Sequence, residues 1–312
     1  MTDRGKGVLC ALMAVSMFST FTIVSRLGLT TTALTMWDMA MLRFGIAGGL
    51  LLPVLVRHGI PQASLWQLAL LAVTGGLGFV MSAYVGFGLA PASHGGVLLH
   101  GTIPLFTLLL AVLAARRRAT ALALSGASLI LAGAVAMLWD SMRTATPRQW
   151  LGDGALLMAA LCWAVFGLMA QRLAIRPLQT TALVAVSALF CFAPIYLVLP
   201  DTNMANAGWN DIVLQAAVQG VLIGVVSVLA YTKAVAFLGA RDTAMFTALV
   251  PIMTTLAGAW LLGETVTTIA CLGVAGTTAG MLVAMRATAE SAKSQRSRSP
   301  APSLTASTLP DR

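Results

Sequence analysis

Ten stretches of about 20 mostly apolar residues run along the chain, each long enough to cross a bilayer as a helix. They fall at 7–27, 34–56, 65–88, 94–115, 119–139, 151–174, 178–199, 210–237, 242–262 and 266–286. The connections between them are short, which predicts a single bundle of neighbouring helices. Beyond 286 the pattern stops. Residues 287–312 are rich in Ser, Ala, Pro and Arg and read as a disordered cytoplasmic tail.

Two of the runs are interrupted at matching places. Leu98–Phe106 carries Pro104, and 147 positions later Met245–Met253 carries Pro251. A proline inside a helix removes one N–H and frees the carbonyl four residues earlier, here those of His100 and Thr247. Exposed backbone polarity is tolerated at membrane depth only against protein or a water-filled cavity. The same shift pairs Tyr84 with Tyr231, Thr107 with Thr254, Gly126 with Gly273 and Gly133 with Gly280. A shift of 146 pairs Arg26-Leu27 with Arg172-Leu173. The expectation is an all-α polytopic membrane protein of two five-helix repeats, 1–142 and 143–286. Five is odd, so the second repeat enters from the opposite side and the repeat is inverted. Matched interruptions in two such halves point to a transporter's central site.

Composition narrows the class. Of 312 residues, 58% are hydrophobic and 9% charged, where a soluble domain carries about 25% charged residues. Mean hydropathy is +0.89. The net charge of +9 does not speak for nucleic acid, because the basic residues sit between apolar runs. Cys10, Cys162, Cys191 and Cys271 lie inside apolar runs without ligand spacing, and read as small core residues. No metal or cofactor is expected. The first run is too long for a signal-peptide core and lacks a small-x-small cleavage site, so it reads as a retained helix.

Charge also sets orientation. Arg4, Lys6, Arg57, Arg116 to Arg118, Arg172, Arg176, Arg241 and Arg286 fall at one set of helix ends. Asp201, Asp211 and Glu264 fall at the other, as do Asp140 and Asp153 beside Arg143 and Arg148. The positive-inside rule then places both termini in the cytoplasm. Arg117 corresponds to Glu264, so one copy of that turn is basic and the other acidic. Six tryptophans lie near helix ends as interfacial anchors, whereas Trp163 is mid-helix.

Three pieces of sequence carry a family likeness. The first helix of each half has Ser16-Met17-Phe18-Ser19-Thr20-Phe21 and Leu161-Cys162-Trp163-Ala164-Val165-Phe166. The fourth helix of each half has its proline. Leu261-Leu262-Gly263-Glu264 is followed by Gly273 and Gly280, while the first half departs with Ala115-Arg116-Arg117. Together with the five-plus-five layout, these resemble the drug/metabolite transporter superfamily, in particular its ten-helix EamA-type members, over about residues 7–286. The chain looks most like the bacterial exporters of aromatic and other neutral amino acids. That resemblance implies a bacterial inner-membrane location and a cavity lined by helices 1, 3, 4, 6, 8 and 9, with 5 and 10 peripheral.

The candidate site residues follow. Ser93, His100, Pro104 and Thr107 share one side of the fourth run, and Thr243, Thr247, Pro251 and Thr254 repeat it in the ninth. They are either two cavity walls or hydroxyl groups bonding across helix interfaces. His100 either binds substrate or carries a proton, or it packs with a satisfied hydrogen bond. Tyr84 and Tyr231 stack on substrate or fill the core. Trp163 and Phe166 on helix 6, with Ser16, Ser19 and Thr20 on helix 1, suit a zwitterion with an apolar side chain, or plain packing. His94 is a weaker candidate near an outer end. Arg43, about seven residues into its helix, reads as paired with Asp38; Lys233 attracts a carboxylate or snorkels.

Helix 1 has no Asp or Glu between Gly7 and Leu27. The superfamily's four-helix drug antiporters exchange protons through such a residue, so that chemistry is not expected. The leading reading is an alternating-access exporter of small metabolites, foremost aromatic and other neutral amino acids. The alternatives are another small metabolite or a lipophilic drug. Short loops, no Gly-x-Ser-x-Gly and no aspartyl pair count against an intramembrane enzyme, and the soluble parts are too short for a receptor. The partners expected are the bilayer and a small-molecule substrate, with no nucleic acid. Because both repeats lie in one chain, a monomer suffices.

Overall fold

The computed structural model describes residues 2–115, 119–144 and 148–298. Among them, ten helices are long and apolar enough to cross a membrane. They are α1 (Asp3–Thr31), α2 (Met36–His58), α3 (Leu65–Leu89), α4 (Ala92–Leu113), α5 (Ala121–Arg143), α6 (Gln149–Leu173), α7 (Pro177–Val198), α8 (Trp209–Leu238), α9 (Asp242–Leu261) and α10 (Thr268–Arg286). No strand occurs among the described residues. The final helix continues to Arg298. Positions 287–298, expected as disordered tail, are thus helical, and their Ala, Glu, Lys, Gln and Arg are good helix formers. Positions 299–312 lie outside the described residues, as do Arg116 to Arg118. The expected repeat boundary after 142 falls in the last turn of α5.

Leu50, Phe190, Leu256 and Leu272 are each more than half exposed in mid-helix, as side chains facing acyl chains must be. Trp66, Trp139, Trp150, Trp209 and Trp260 are exposed near helix ends. The cysteines are not core residues: Cys191 and Cys271 are exposed and Cys10 and Cys162 half-buried. In lipid an apolar thiol-bearing side chain loses nothing by facing outward.

Because lipid tails are as apolar as leucine, close backbone approach and interhelical polar contacts hold such a bundle together. The most extensive pairings are α5 with α10, α2 with α7, α3 with α6 and α1 with α8. In repeat terms α1–α8 and α6–α3 are one contact made twice, while α2–α7 and α5–α10 join counterpart helices. The α5–α10 crossing shows the symmetry residue by residue. Gly126 packs on Gly280 and Ala284, and Gly133 on Gly273 and Thr277. Since 273 is the counterpart of 126 and 280 of 133, the contact is reciprocal, as a two-fold axis requires. A Cβ at Gly133 would lie 2.1 Å from Thr277 Oγ1 and 2.7 Å from the Gly273 carbonyl oxygen.

Four helices are interrupted, and they form two repeat-related pairs. In α4 a π-helical stretch, Gly95–Gly101, runs into Thr102 (φ −90, ψ −8), and the helix restarts at Ile103. In α9 one segment ends at Thr247 and the next begins at Val250. Pro104 and Pro251 therefore lie in the first turn of a new segment, where a missing N–H goes unmissed, and not inside a continuous helix. The other pair was not expected. In α3 Val73–Leu77 is π-helical with Gly76 off helical geometry (φ −110, ψ −107), and in α8 Ala216–Val226 is π-helical. By contrast α2 and α7 stay continuous through Pro53 and Pro194.

The start of α1 and the end of α10 lie with Arg57, Arg172, Arg176 and Arg286 at one end of the bundle, the basic end. The acidic end carries Asp38, Asp140, Asp153, Asp211 and Glu264.

Candidate functional site

All four interrupted helices border a central cavity of about 1340 Å³, larger than the 300–1,000 Å³ of a fitted ligand pocket. At the basic end its wall includes Thr120, Gln171, Ile175, Thr181 and Met285. Its deepest wall, toward the acidic end, is Phe21, Arg43, Phe79, Val80, Leu99 and Ile223. Beyond these, Met39, Tyr84, Phe87, Leu98, Met137 and Leu156 are fully buried and separate the cavity from the acidic end.

Aromatic rings dominate the wall. Phe79, Trp163 and Phe166 form a continuous row with centroids 4.7 and 5.1 Å apart. Gly75 makes room for it, since a Cβ there would meet Phe166 at 2.5 Å. Phe18 stacks on His100 at 6.4 Å and meets Tyr231 at 6.1 Å. His100 Nδ1 lies 3.3 Å from the Gly95 carbonyl oxygen, within the π-helical stretch.

The expected site residues divide. His100, Pro104, Thr107, Trp163, Phe166, Tyr231 and Thr247 line the cavity. Tyr84, Ser16, Ser19, Thr20, Thr254 and Pro251 do not. The side of α1 that meets the cavity is that of Phe18 and Phe21. Ser16 is exposed, and Ser19 and Thr20 donate to the carbonyls of Val15 and Ser16, the local bonding short hydroxyl side chains favour in helices. Tyr84 is fully buried with its hydroxyl beside Arg43. Thr254 is buried against Gly96 and donates to the Val250 carbonyl at 2.9 Å. Pro251 is buried in the α4–α9 crossing. Ser93 is buried too, because the π turn that follows it changes the phase of α4. Lys233 is exposed near Lys6 at the basic end, away from the cavity.

Two charged residues sit otherwise than expected. Asp38 does not pair with Arg43. Its Oδ2 accepts from the Thr35 N–H and hydroxyl, both at 2.8 Å, and from the Asn203 N–H at 3.0 Å; Oδ1 accepts from the Tyr196 hydroxyl at 2.6 Å. It caps α2 and ties it to α7. Arg43, one turn and a half deeper, turns to the cavity. Its guanidinium lies 4.8 Å from the Phe21 ring centroid, with a long 3.5 Å contact to Gln219 Oε1.

The acidic end is closed by polar bridges that sequence reasoning missed. Glu264 pairs with Arg26 and accepts from the Ala92 N–H at 2.7 Å, while Arg26 Nη1 donates to the Phe87 carbonyl at 2.9 Å. These contacts tie α1, α3, α4 and the α9–α10 turn. Gly263, at φ 65 in left-handed backbone that suits glycine, turns the chain so that Glu264 faces inward. A second cluster joins α4, α5, α6 and α10. His94 Nδ1 is 2.8 Å from Asp153 Oδ1 and its Nε2 3.7 Å from Asp140 Oδ2. Ser141 donates to Asp153, and the Thr267 hydroxyl donates to Asp140 at 2.7 Å. His94, Asp140 and Asp153 are all buried. The only sequence signals were His94, the acidic turn at 264 and the Arg26–Arg172 correspondence.

The family model for EamA-like transporters matches residues 5–139 and 150–286. The chain belongs to the EamA-like transporter family. Each half of this EamA-like transporter is one family unit, and the two units are the inverted repeats described above. It is a multi-pass membrane protein of a family that transports small molecules. Among 26 matching chains of solved structures, one described only as the crystal structure of a protein aligns over 90% of this chain and 97% of its own, with TM-score 0.59 and 20% identity; that likeness speaks for the fold. No curated protein sequence matches. In this EamA-like transporter all ten helices contribute to the cavity wall, not only the six the resemblance implied, because the cavity reaches α5, α7 and α10 toward the basic end and α2 at depth, through Arg43, Phe44 and Ala47.

Proposed function

We propose that the protein exports aromatic and other neutral amino acids by alternating access, with the basic end and both termini in the cytoplasm of a bacterial inner membrane. One observation carries this reading: a large cavity with aromatic walls reaches one end of the bundle while a part-buried ion pair and a buried polar cluster bridge the other. An aromatic row beside a histidine and an arginine suits a small solute with an apolar body and a polar head. The wall residues His100, Thr107, Trp163, Phe166, Tyr231 and Thr247 are the proposed contacts, and the interrupted helices α3, α4, α8 and α9 are the proposed bending points. The pathway lies within one chain, so the working unit is a monomer.

Uptake and counterflow in proteoliposomes, with labelled phenylalanine and a panel of neutral amino acids, test the reading. Saturable flux above empty liposomes is expected. No flux for any member would end the amino-acid reading and leave another small metabolite or a lipophilic drug as cargo. Labelling of cysteines introduced at Gln62 and Asn206 by an impermeant reagent on intact cells tests orientation; reaction at 62 but not 206 would reverse it. An obligate dimer in native mass spectra would overturn the monomer.

A further inference from the structure

We infer that Arg43 anchors a carboxylate of the transported solute, so that the cargo is an organic acid or zwitterion with an apolar body. This rests on the cavity being the transport site.

Arg43 is the one charged side chain among the described residues lining the cavity. A charge at membrane depth is costly and marks a functional site unless it is paired. Arg26, the other arginine at comparable depth, has its carboxylate in Glu264. Arg43 has none within ion-pair distance among the described residues. The nearest acid along its helix, Asp38, is fully engaged with four other donors.

The guanidinium is nevertheless held. Phe21 stacks on it, and Gln219 offers its amide oxygen. Gln219 is itself fixed, because its Nε2 donates to Ser25 Oγ at 2.8 Å and to Gln215 Oε1 at 3.3 Å. Gln215 in turn donates to the Val24 carbonyl at 2.8 Å. Gln215, Gln219 and Ser25 are each at most 1% exposed. This buried chain lies where the π-helical part of α8 begins and acts as a positioning device for Arg43. A guanidinium has five donors in a planar fork that fits a carboxylate, and the contacts above use few of them.

The rest of the wall defines the remainder of the ligand. Phe21 leads at 6.1 Å to Phe79 and from there along the Trp163–Phe166 row. A carboxylate at Arg43 therefore lays an apolar or aryl body on that row. No described Asp or Glu lines the cavity to meet an ammonium group. The carboxylate, and not the amine, is the group recognised by charge.

Four probes titrated into the purified full chain by calorimetry test this: phenylalanine, 3-phenylpropionate, phenylalaninamide and 2-phenylethylamine. The two carboxylates are expected to bind, and the two probes without one to bind at least about 10-fold more weakly. Arg43→Gln is expected to weaken both carboxylates by about 10- to 100-fold, and Arg43→Lys by less, since it keeps charge without the fork. Equal binding of amide and acid, no binding of either carboxylate, or carboxylate binding unchanged in Arg43→Gln would each overturn the assignment. Should Arg43→Gln not fold, the acid-against-amide comparison on the unaltered chain decides alone. Binding of 3-phenylpropionate through Arg43 with no amino-acid flux in proteoliposomes would sink amino-acid export and leave the anchor standing. Amino-acid flux untouched by Arg43→Gln would do the reverse.

Discussion

The acidic and basic ends of the bundle are made from corresponding pieces of one repeat, yet they are held differently. At the acidic end Arg26 meets Glu264, and His94, Asp140, Asp153 and Ser141 bridge three helices. At the basic end the counterpart of Arg26 is Arg172, which is exposed. The counterpart of Glu264 is Arg117, which lies outside the described residues, and the sequence thus sets arginine against arginine where the acidic end has an ion pair. His94 corresponds to Arg241 and Asp153 to Gly7, so the second cluster has no acidic counterpart either. The lesson is that duplication supplied two equivalent ends, and charge at a few matched positions decides which of them is bridged.

Making the acidic end like the basic one is the strongest way to break this comparison. Glu264→Arg leaves Arg26 part-buried without its carboxylate, expected to cost about 3–5 kcal/mol and to lower the closed population by about 10²–10⁴. In a background without native cysteines, a cysteine at the buried position Leu98 should then react with an impermeant thiol reagent from the acidic side. The exchange Arg26→Glu with Glu264→Arg should restore protection. Continued protection in Glu264→Arg alone would show that the pair does not close this end.

Asp153→Asn removes one carboxylate from the second cluster and is expected to cost about 1.5–3 kcal/mol, the worth of a hydrogen bond to a charged group. Thermal unfolding in detergent should show it, with a smaller gain in acidic-side labelling than Glu264→Arg gives. Gly133→Ala sharpens the comparison by acting on neither end. Its Cβ would overlap Thr277 and the Gly273 carbonyl, an overpacking cost of about 1–3 kcal/mol, so melting should fall while labelling stays one-sided. Gly276→Ala is its control. Only ordinary contacts surround that position, and the effect should stay within about 0.5 kcal/mol. His100→Thr gives α4 the residue that α9 has at 247. Little change in stability is expected, and a shift in the ratio of aromatic to aliphatic solutes transported should appear if His100 takes part in selection.

Much of the fold was legible because hydrophobic length is a local signal. The ten spans lie within a few residues of their expected ends. Pro104 and Pro251 mark real breaks, since a missing N–H is written in a single letter, and the repeat alone relates the four glycines that the α5–α10 seam brings together. The π-helical stretches of α3 and α8 were not legible. Gly75-Gly76 and Gly220 announce close packing and not the kind of turn. Within the site, His100, Thr107, Trp163, Phe166, Tyr231 and Thr247 lie on the cavity wall, whereas Ser19 and Thr20 of α1 bond to their own backbone. The Arg26–Glu264 pair joins residues 238 apart, and no local pattern couples such positions. Arg43 was assigned to Asp38 because five residues separate them, a spacing near enough for a helix to suggest pairing. Two of the donors that occupy Asp38 come from Thr35, three residues away, and the other two from Tyr196 and Asn203 in the other repeat, which only the folded chain brings there.

The glycine crossing of α5 and α10 has a consequence of its own. A contact that sits on a two-fold axis is mapped onto itself when the units it relates exchange shapes. If the first repeat took the conformation of the second and the second that of the first, Gly126 would still face Gly280 and Gly133 would still face Gly273. Everything off the axis would trade places, bridged end for open end. For the alternating access proposed above the crossing serves as the fulcrum, and the two-fold operation draws the opposite posture from the coordinates of this one.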